Sequence, residues 1–399
     1  MTVEQLPSQA LANGPQGPLL GLRVVDLSRL VAGNMLTLQL GDFGADVIKV
    51  EAADGGDTLR QWREEHADHP EGYDGWWRVY GRNKRSLALN LRQAGDMQVM
   101  RRLLETAHVM VESFRPGTLE AMGLDPVLLH ASNPKLVIVR LSGWGQTGPY
   151  RELPGFGSLI EGFSGYAHKH QKPDGQPMLP NLAMADMITG LSGAFAVLAA
   201  VRETEVRGGR GQVIDLSLLE PMLSIMGPDV THFAATGRAA QADRKIASPR
   251  GVYRCSDGKW VSMSGSTDTM ARRVFEAIGQ GHLFDDPRYA TNAARVANDT
   301  EVDAMVANFI VTMTQAQALT LFQEKGVTVG PIHDPGQLLD DPHVAGRGAY
   351  VRLTDDRGES TVMHAVTPRL QNTPGSIHRR APALGEHNAE LLRELGSLS

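Results

Sequence analysis

One pattern near the start of the chain limits the folds open to it. A short apolar run, a helix-length apolar segment and a second short apolar run follow each other with almost nothing between them. Leu22-Arg23-Val24-Val25-Asp26-Leu27 reads as a buried strand, Ser28 to Leu40 as a helix ending near Gly41, and Ala45 to Glu51 as a second strand. A crossover helix with short connections implies parallel strands. The unit recurs with Ser86 to Asn90 as strand, Asp96 to Thr106 as helix and His108 to Glu112 as strand, then a helix ending near Leu129 and a strand over Leu136 to Leu141. This alternation predicts an α/β fold: a doubly wound parallel sheet, Rossmann-like but without a dinucleotide motif, with a ligand crevice at the carboxyl ends of its strands.

The remaining segments suggest four regions. Residues 1–19 are small, polar and proline-containing and read as a flexible tail; with no basic start and no apolar stretch, no signal peptide is expected. Residues 20–224 form the large α/β domain. Within it, Gly143 to Pro180 is rich in glycine and proline, as functional loops are, and Asp186 to Val201 is almost wholly apolar, reading as a buried helix too short to span a bilayer. A strand follows over Gln212 to Leu216. Residues 225–335 read as a smaller α+β domain with a hairpin (Val252 to Arg254, Trp260 to Met263) and helices near Met270 to Ile278 and Glu301 to Met313. Residues 336–399 are expected to return to the large domain.

Composition removes several function classes. The net charge of −6 argues against a nucleic-acid partner, and nothing points to a membrane. A single cysteine allows no intrachain disulfide and no cysteine metal cage, consistent with a cytoplasmic protein. There is no Walker phosphate loop, and the turn Ser28 to Gly33 lacks the glycines that a dinucleotide needs. Gly162 to Gly165 and Gly190 to Gly193 miss the spacing of a nucleophile elbow. His168 and His170 read as a solvated loop, Cys255 as a small core residue and Glu51 as a strand-end carboxylate. No metal site is expected.

Asp186 stands out as a carboxylate at the start of an apolar helix. Two readings fit its place. It can be an N-cap, or it can be a partly desolvated nucleophile kept ionised by the helix N-terminus and able to attack an activated acyl group.

Several ordered motifs then make the chain recognisable. PLLGLRVVDLSRLVAG, LGDFGADVIKVE with GGD, NKRSLALNL, VMVESFRPGTLEAMGL, LSGWGQTGPY, LAMADMITG, GRGQVIDLSLLE, VGPIHDPGQLLDDPHV and APALGEHNAELLRELG run from about Pro18 to Gly396. Over this span the chain resembles the class III (family III) CoA-transferases, the group that includes formyl-CoA transferase, carnitine-CoA transferases and α-methylacyl-CoA racemase. The resemblance implies that Asp186 is the nucleophile, forming first an aspartyl anhydride and then an aspartyl-CoA thioester. It implies CoA contacts from Leu30, Val31 and Ala32, from Leu89, Asn90, Leu91 and Arg92, and from Ser113, Phe114 and Arg115. Coenzyme A and acyl-CoA are then substrates, with no permanently bound cofactor. A carboxylic acid, of the short dicarboxylate type, is the acceptor. The resemblance also implies an interlocked homodimer.

Two departures from the family pattern bear on the site. Ala52 stands where many members carry a CoA-binding arginine, and residues 236–250 have no glycine run where formyl-CoA transferase has a tetraglycine lid. The racemase branch needs a histidine that this chain replaces with Phe156, followed by Gly157 in place of an acid, so transfer is favoured over racemisation. An inactive CoA-binding homologue is the other alternative.

Overall fold

Runs of valine, isoleucine and leucine build one six-stranded, all-parallel sheet. Its strands are β1 (Arg23–Leu27), β2 (Asp46–Ala52), β3 (Lys84–Leu89), β4 (Val109–Glu112), β5 (Val137–Ser142) and β6 (Val213–Ser217). The computed structural model describes residues 6–66, 69–172, 174–238 and 245–396, so part of the 236–250 segment lies outside the described residues. Hydrogen bonding orders the strands β3-β2-β1-β4-β5-β6, with Val24 opposite both Val47 and Val109. That order reverses direction between β1 and β4, the switch point where such sheets open a crevice.

Period-two alternation sends neighbouring side chains to opposite faces. Val24, Val47, Val109 and Val137 pack on one face beneath α1 (Leu30–Asp42) and the long helix α5 (Met184–Val206). Val25, Ile48, Met110 and Ile138 pack on the other face, against α2 (Ala94–Glu105), α3 (Pro126–Ser132) and the helix Asn388–Glu394. The doubly wound α/β expectation therefore holds.

α5 differs from its expected form. It runs for 23 residues, long and apolar enough to cross a bilayer by length and composition. One side is core. A Cβ at Gly190 would lie 2.6 Å from the Met35 Cβ, so glycine there permits the close approach of α1 and α5. The other side is open: Leu191, Phe195 and Leu198 are 50%, 75% and 41% exposed. The uninterrupted apolar sequence, read as full burial, instead serves two faces.

Contacts divide the chain into two units, Met1–Ala234 with Pro342–Ser399, and Ala235–Asp341. In the first, Ser8–Ala10 pairs in parallel with Tyr350–Thr354, which pairs in turn with Ser360–His364, and Leu6 is buried. The flexible tail expected over residues 1–19 is thus partly a strand. Its partner lies more than 300 residues away, where local composition gives no hint. His168 lies on a short helix, Tyr166–Lys169, and His170 stacks on Tyr166 rather than sitting in an open loop. The second unit carries an antiparallel sheet of Arg250–Arg254, Trp260–Ser264 and Val329–Ile332. Cys255 belongs to its core, where burial pushes the thiol pKa up.

Candidate active site

At the switch point the turn after β1 is tied down by buried charge. Asp26, on β1, accepts hydrogen bonds from the Ser28 N–H (2.9 Å) and Oγ (2.5 Å). Lys49, on β2, reaches the Ser28 carbonyl at 2.6 Å, Asp26 at 3.2 Å and Asp57 at 2.9 Å. Lys84, on β3, donates to Asn34 Oδ1 at 2.6 Å. Burial would raise the Asp26 pKa, but the Lys49 and Lys84 ammoniums hold it below the usual carboxylate range. The Arg29 N–H donates to Ser113 Oγ at 2.9 Å and so joins this turn to the end of β4. Glu51, expected as an ordinary strand-end acid, is buried against Arg60, with N–O distances of 2.7 Å, and also accepts from the Ser86 hydroxyl and the Asp57 N–H.

Asp186 lies in the first turn of α5. The N-cap is Ala183, which makes no side-chain bond, so the capping reading of Asp186 does not hold. Its carboxylate instead lines a cleft together with Leu30 and Ala32, from the first turn of α1. The helix α4 (Gly157–Phe163) begins beside it, and a Cβ on Gly157 would fall 2.3 Å from Asp186 Oδ2. Only a residue without a side chain leaves room for the carboxylate there. Glu161, also on α4, is buried and accepts from the Ala185 N–H at 3.1 Å. Burial first, and then the Glu161 charge, raise the Asp186 pKa to about 6, against the weaker opposing influence of the nearby backbone N–H groups of Ala32 and of Asp186 itself. The helix N-terminus, read from the sequence as keeping this group ionised, is opposed by desolvation, the larger effect on its pKa. Above pH 6 the carboxylate is still mostly charged, and it is poorly solvated, as a nucleophile should be.

Asp186 opens onto a cleft of about 440 Å³. Leu30, Ala32, Ser113, Phe114 and Arg115 line it, as do Arg151, Leu153 and Phe156. A second cleft of about 530 Å³, sharing Arg29, Phe114 and Thr118 with the first, is lined by Leu89, Asn90, Leu91 and Arg92. Nine of the ten residues expected to contact CoA therefore face these two adjoining clefts. Val31 does not; its side chain is buried with Leu59 and Trp77. Ala52 lines the second cleft; of the arginines in the two clefts, Arg29, Arg92 and Arg115 form no ion pair among the described residues, whereas Arg151 pairs with Glu152 at 3.0 Å.

Lys49, Asn34, Asp57 and Glu161 were not singled out from sequence. The available signal was charge inside apolar strands, as in RVVDL and DVIKVEA, where an unpaired ion is too costly to bury. Among the described residues no cluster of three metal-ligating side chains occurs.

Comparison with known proteins agrees with this geometry. The succinyl-CoA–D-citramalate CoA-transferase of Chloroflexus aurantiacus is 36% identical over 389 residues, covering 96% of each chain. The beta subunit of the succinyl-CoA–L-malate CoA-transferase of the same organism is 36% identical, covering 95% of this chain and 94% of its own. A CAIB/BAIF family protein from Brucella suis, solved by crystallography, superposes with a TM-score of 0.83 at 30% identity, over 95% of this chain and all of that one. The CoA-transferase family III pattern matches residues 19–388, nearly the whole chain, and the chain belongs to that family.

Proposed function

We propose that the protein transfers CoA from a succinyl-CoA-like thioester to a short dicarboxylic acid, with Asp186 as the covalent nucleophile. The observation that carries this reading is a half-buried carboxylate of raised pKa in a cleft that also holds Arg29, Arg115 and Arg151. An Asp186 oxygen attacks the thioester carbonyl, the C–S bond breaks, and an aspartyl anhydride and CoA thiolate result. The thiolate then attacks the aspartyl carbonyl, giving an aspartyl-CoA thioester and releasing the donor acid. The acceptor carboxylate attacks that thioester, and the returning thiolate opens the second anhydride to release the new acyl-CoA and free Asp186. Each intermediate keeps the acyl group activated, so no ATP is needed.

The choice of a dicarboxylate draws on two supports. The named relatives use D-citramalate and L-malate with succinyl-CoA. In this chain Arg151 shares the cleft with Asp186, and Leu153 and Phe156 supply apolar wall between them. A guanidinium beside a short apolar wall suits a molecule with a carboxylate at each end of a few carbons. The open face of α5 supports an interlocked homodimer, although the subunit naming of one relative makes a heteromer the alternative that light scattering on the purified chain would separate. The unpaired cysteine agrees with a cytoplasmic setting.

The test of the reaction course uses acyl-CoA without acceptor. Incubation should render the enzyme sensitive to hydroxylamine, with the modified residue on the peptide containing Asp186, and steady-state kinetics should be ping-pong. Modification of Glu161 or Asp215 instead would reassign the nucleophile, and purely sequential kinetics with no adduct would favour direct transfer in a ternary complex.

A further inference from the structure

The long helix α5 opens without a cap of its own. Its N-cap residue, Ala183, has no polar side chain to offer, and the Met184 N–H turns back to the Leu182 carbonyl at 2.8 Å. The next donor, the Ala185 N–H, adjoins Asp186 in the chain and is met from another helix. Glu161 Oε1, on α4, accepts it at 3.1 Å. Glu161 follows Gly157 by four residues and so lies one turn further along the same face of α4. At Gly157 that face comes so near that a Cβ would fall 2.3 Å from Asp186 Oδ2 and 3.8 Å from the Ala185 Cβ. α4 therefore holds residues 185 and 186 at two points, by close approach at Gly157 and by the hydrogen bond to Glu161.

Glu161 is a costly way to cap a helix. It is 2% exposed, and the Ala185 N–H is the one hydrogen-bond partner of its carboxylate among the described residues. Burying an acid on a single N–H, next to a residue bonded to a second acid, works against stability. A serine at the N-cap would satisfy the same helix end from the surface. Groups kept against stability gather where a site needs them.

We infer that Glu161 is a positioning residue for CoA transfer: by accepting the Ala185 N–H it fixes the first turn of α5 against α4 and so holds the Asp186 carboxylate in line with the acyl carbon. It acts through the backbone of residues 185–186 and not on the reacting atoms. The inference rests on the reading of Asp186 as nucleophile given above.

Three variants of the full-length enzyme separate the hydrogen bond from the charge. Glu161→Gln removes the charge and keeps an acceptor, Glu161→Leu removes both, and Glu161→Asp keeps the charge but draws the oxygens back by a methylene. E161Q should stay within about threefold of the wild-type kcat. E161L and E161D should each lose about 10²-fold, the effect of a nucleophile displaced by about 1 Å. KM for acyl-CoA should change by less than about threefold in all three, because the substrate's own contacts are untouched. The charged groups around Asp186 are Glu161 from α4 and the cleft arginines Arg29, Arg115 and Arg151. With the arginines unchanged, the acid limb of kcat/KM should move down in E161Q and E161L and keep its place in E161D. Loss of kcat would then follow the hydrogen bond and not the titration of Asp186.

A residue that only stabilised the fold would lower the melting temperature of E161L and E161D and leave kcat per folded molecule alone. E161Q as slow as E161L, or E161L as fast as E161Q where both are folded, overturns the inference while hydroxylamine trapping at Asp186 still stands. If E161L does not fold, E161D against E161Q decides by the same two outcomes. Trapping of the wild-type enzyme at another residue overturns the nucleophile reading, and this inference with it.

Discussion

Asp57 accepts the Leu30 N–H at 3.0 Å, and Asp186 lines a cleft with that same Leu30. Their surroundings drive them in opposite directions. Burial would raise Asp57, but Lys49 and the N–H groups of Leu59 and Leu30 pull it to about 2, whereas Asp186 has no cation and faces Glu161, which leaves it at about 6. One carboxylate is thereby fixed in its charged form and the other is left to titrate close to neutrality, a difference set by environment alone.

The raised pKa of Asp186 sets both activity and stability against pH. Because the folded group binds its proton more tightly than the unfolded one, stability declines as pH rises from about 4 to about 6, and the full cost is present at neutral pH. Asp186→Asn should therefore stabilise the protein by roughly 1–2 kcal/mol at pH 7.5, after allowance for partial exposure, and hardly at all at pH 4. Thermal melts at the two pH values check this. The same variant, and Asp186→Ala, should retain less than about a thousandth of the transfer rate while still binding CoA.

Glu161 is the charge that works against ionisation of Asp186. Glu161→Gln removes it but keeps an oxygen for the Ala185 N–H. The acid limb of kcat/KM, expected near pH 6 in the wild type, should shift downward. An upward shift, or none, would show that burial alone sets the value.

Gly157 gives a steric test. Alanine there would put a methyl 2.3 Å from Asp186 Oδ2, so the carboxylate must swing away. The expected result is a fall in kcat of about 10²-fold with a melting temperature close to wild type, since displacement of about 1 Å is enough to spoil attack. Ser158→Ala, one residue further along an otherwise open helix start, serves as the control.

Phe156 bears on the racemase alternative. It lines the Asp186 cleft, is 60% exposed and offers no proton acceptor. A chiral 2-methylacyl-CoA incubated with the enzyme in deuterated water should show negligible exchange at the α-carbon by mass spectrometry. Rapid incorporation would move the protein to proton-transfer chemistry.

The sheet was legible because each of its strands carries its own signal. Leu22 to Leu27 and Leu136 to Leu141 are apolar enough to announce burial on both faces, and the helices between them are local. Asp186 was legible as an oddity, a carboxylate opening an apolar helix, although its cap role proved wrong. What could not be read was anything made by distant partners. Asp57 looks like a loop acid in a glycine-rich stretch until Lys49 and Leu30 are brought to it across the sheet. Ser8–Ala10 looks like a tail until Tyr350–Thr354 lies beside it. Val31 sits inside a segment that faces the clefts, yet helical geometry turns its side chain to the core, a rotation that motif matching does not resolve.

In sheets of this strand order the N-terminus of the first helix commonly seats a ligand's pyrophosphate. Here one of those donors, the Leu30 N–H, is taken by an anion of the chain's own, Asp57. Under the proposed function, guanidinium groups lining the two clefts, Arg29, Arg92 and Arg115 among them, meet the phosphates of CoA. Attraction of that kind releases counterions and is screened by dissolved salt, unlike a cradle of buried peptide dipoles. Affinity for CoA should therefore weaken steadily with ionic strength, while turnover of enzyme already saturated with thioester should hardly notice it.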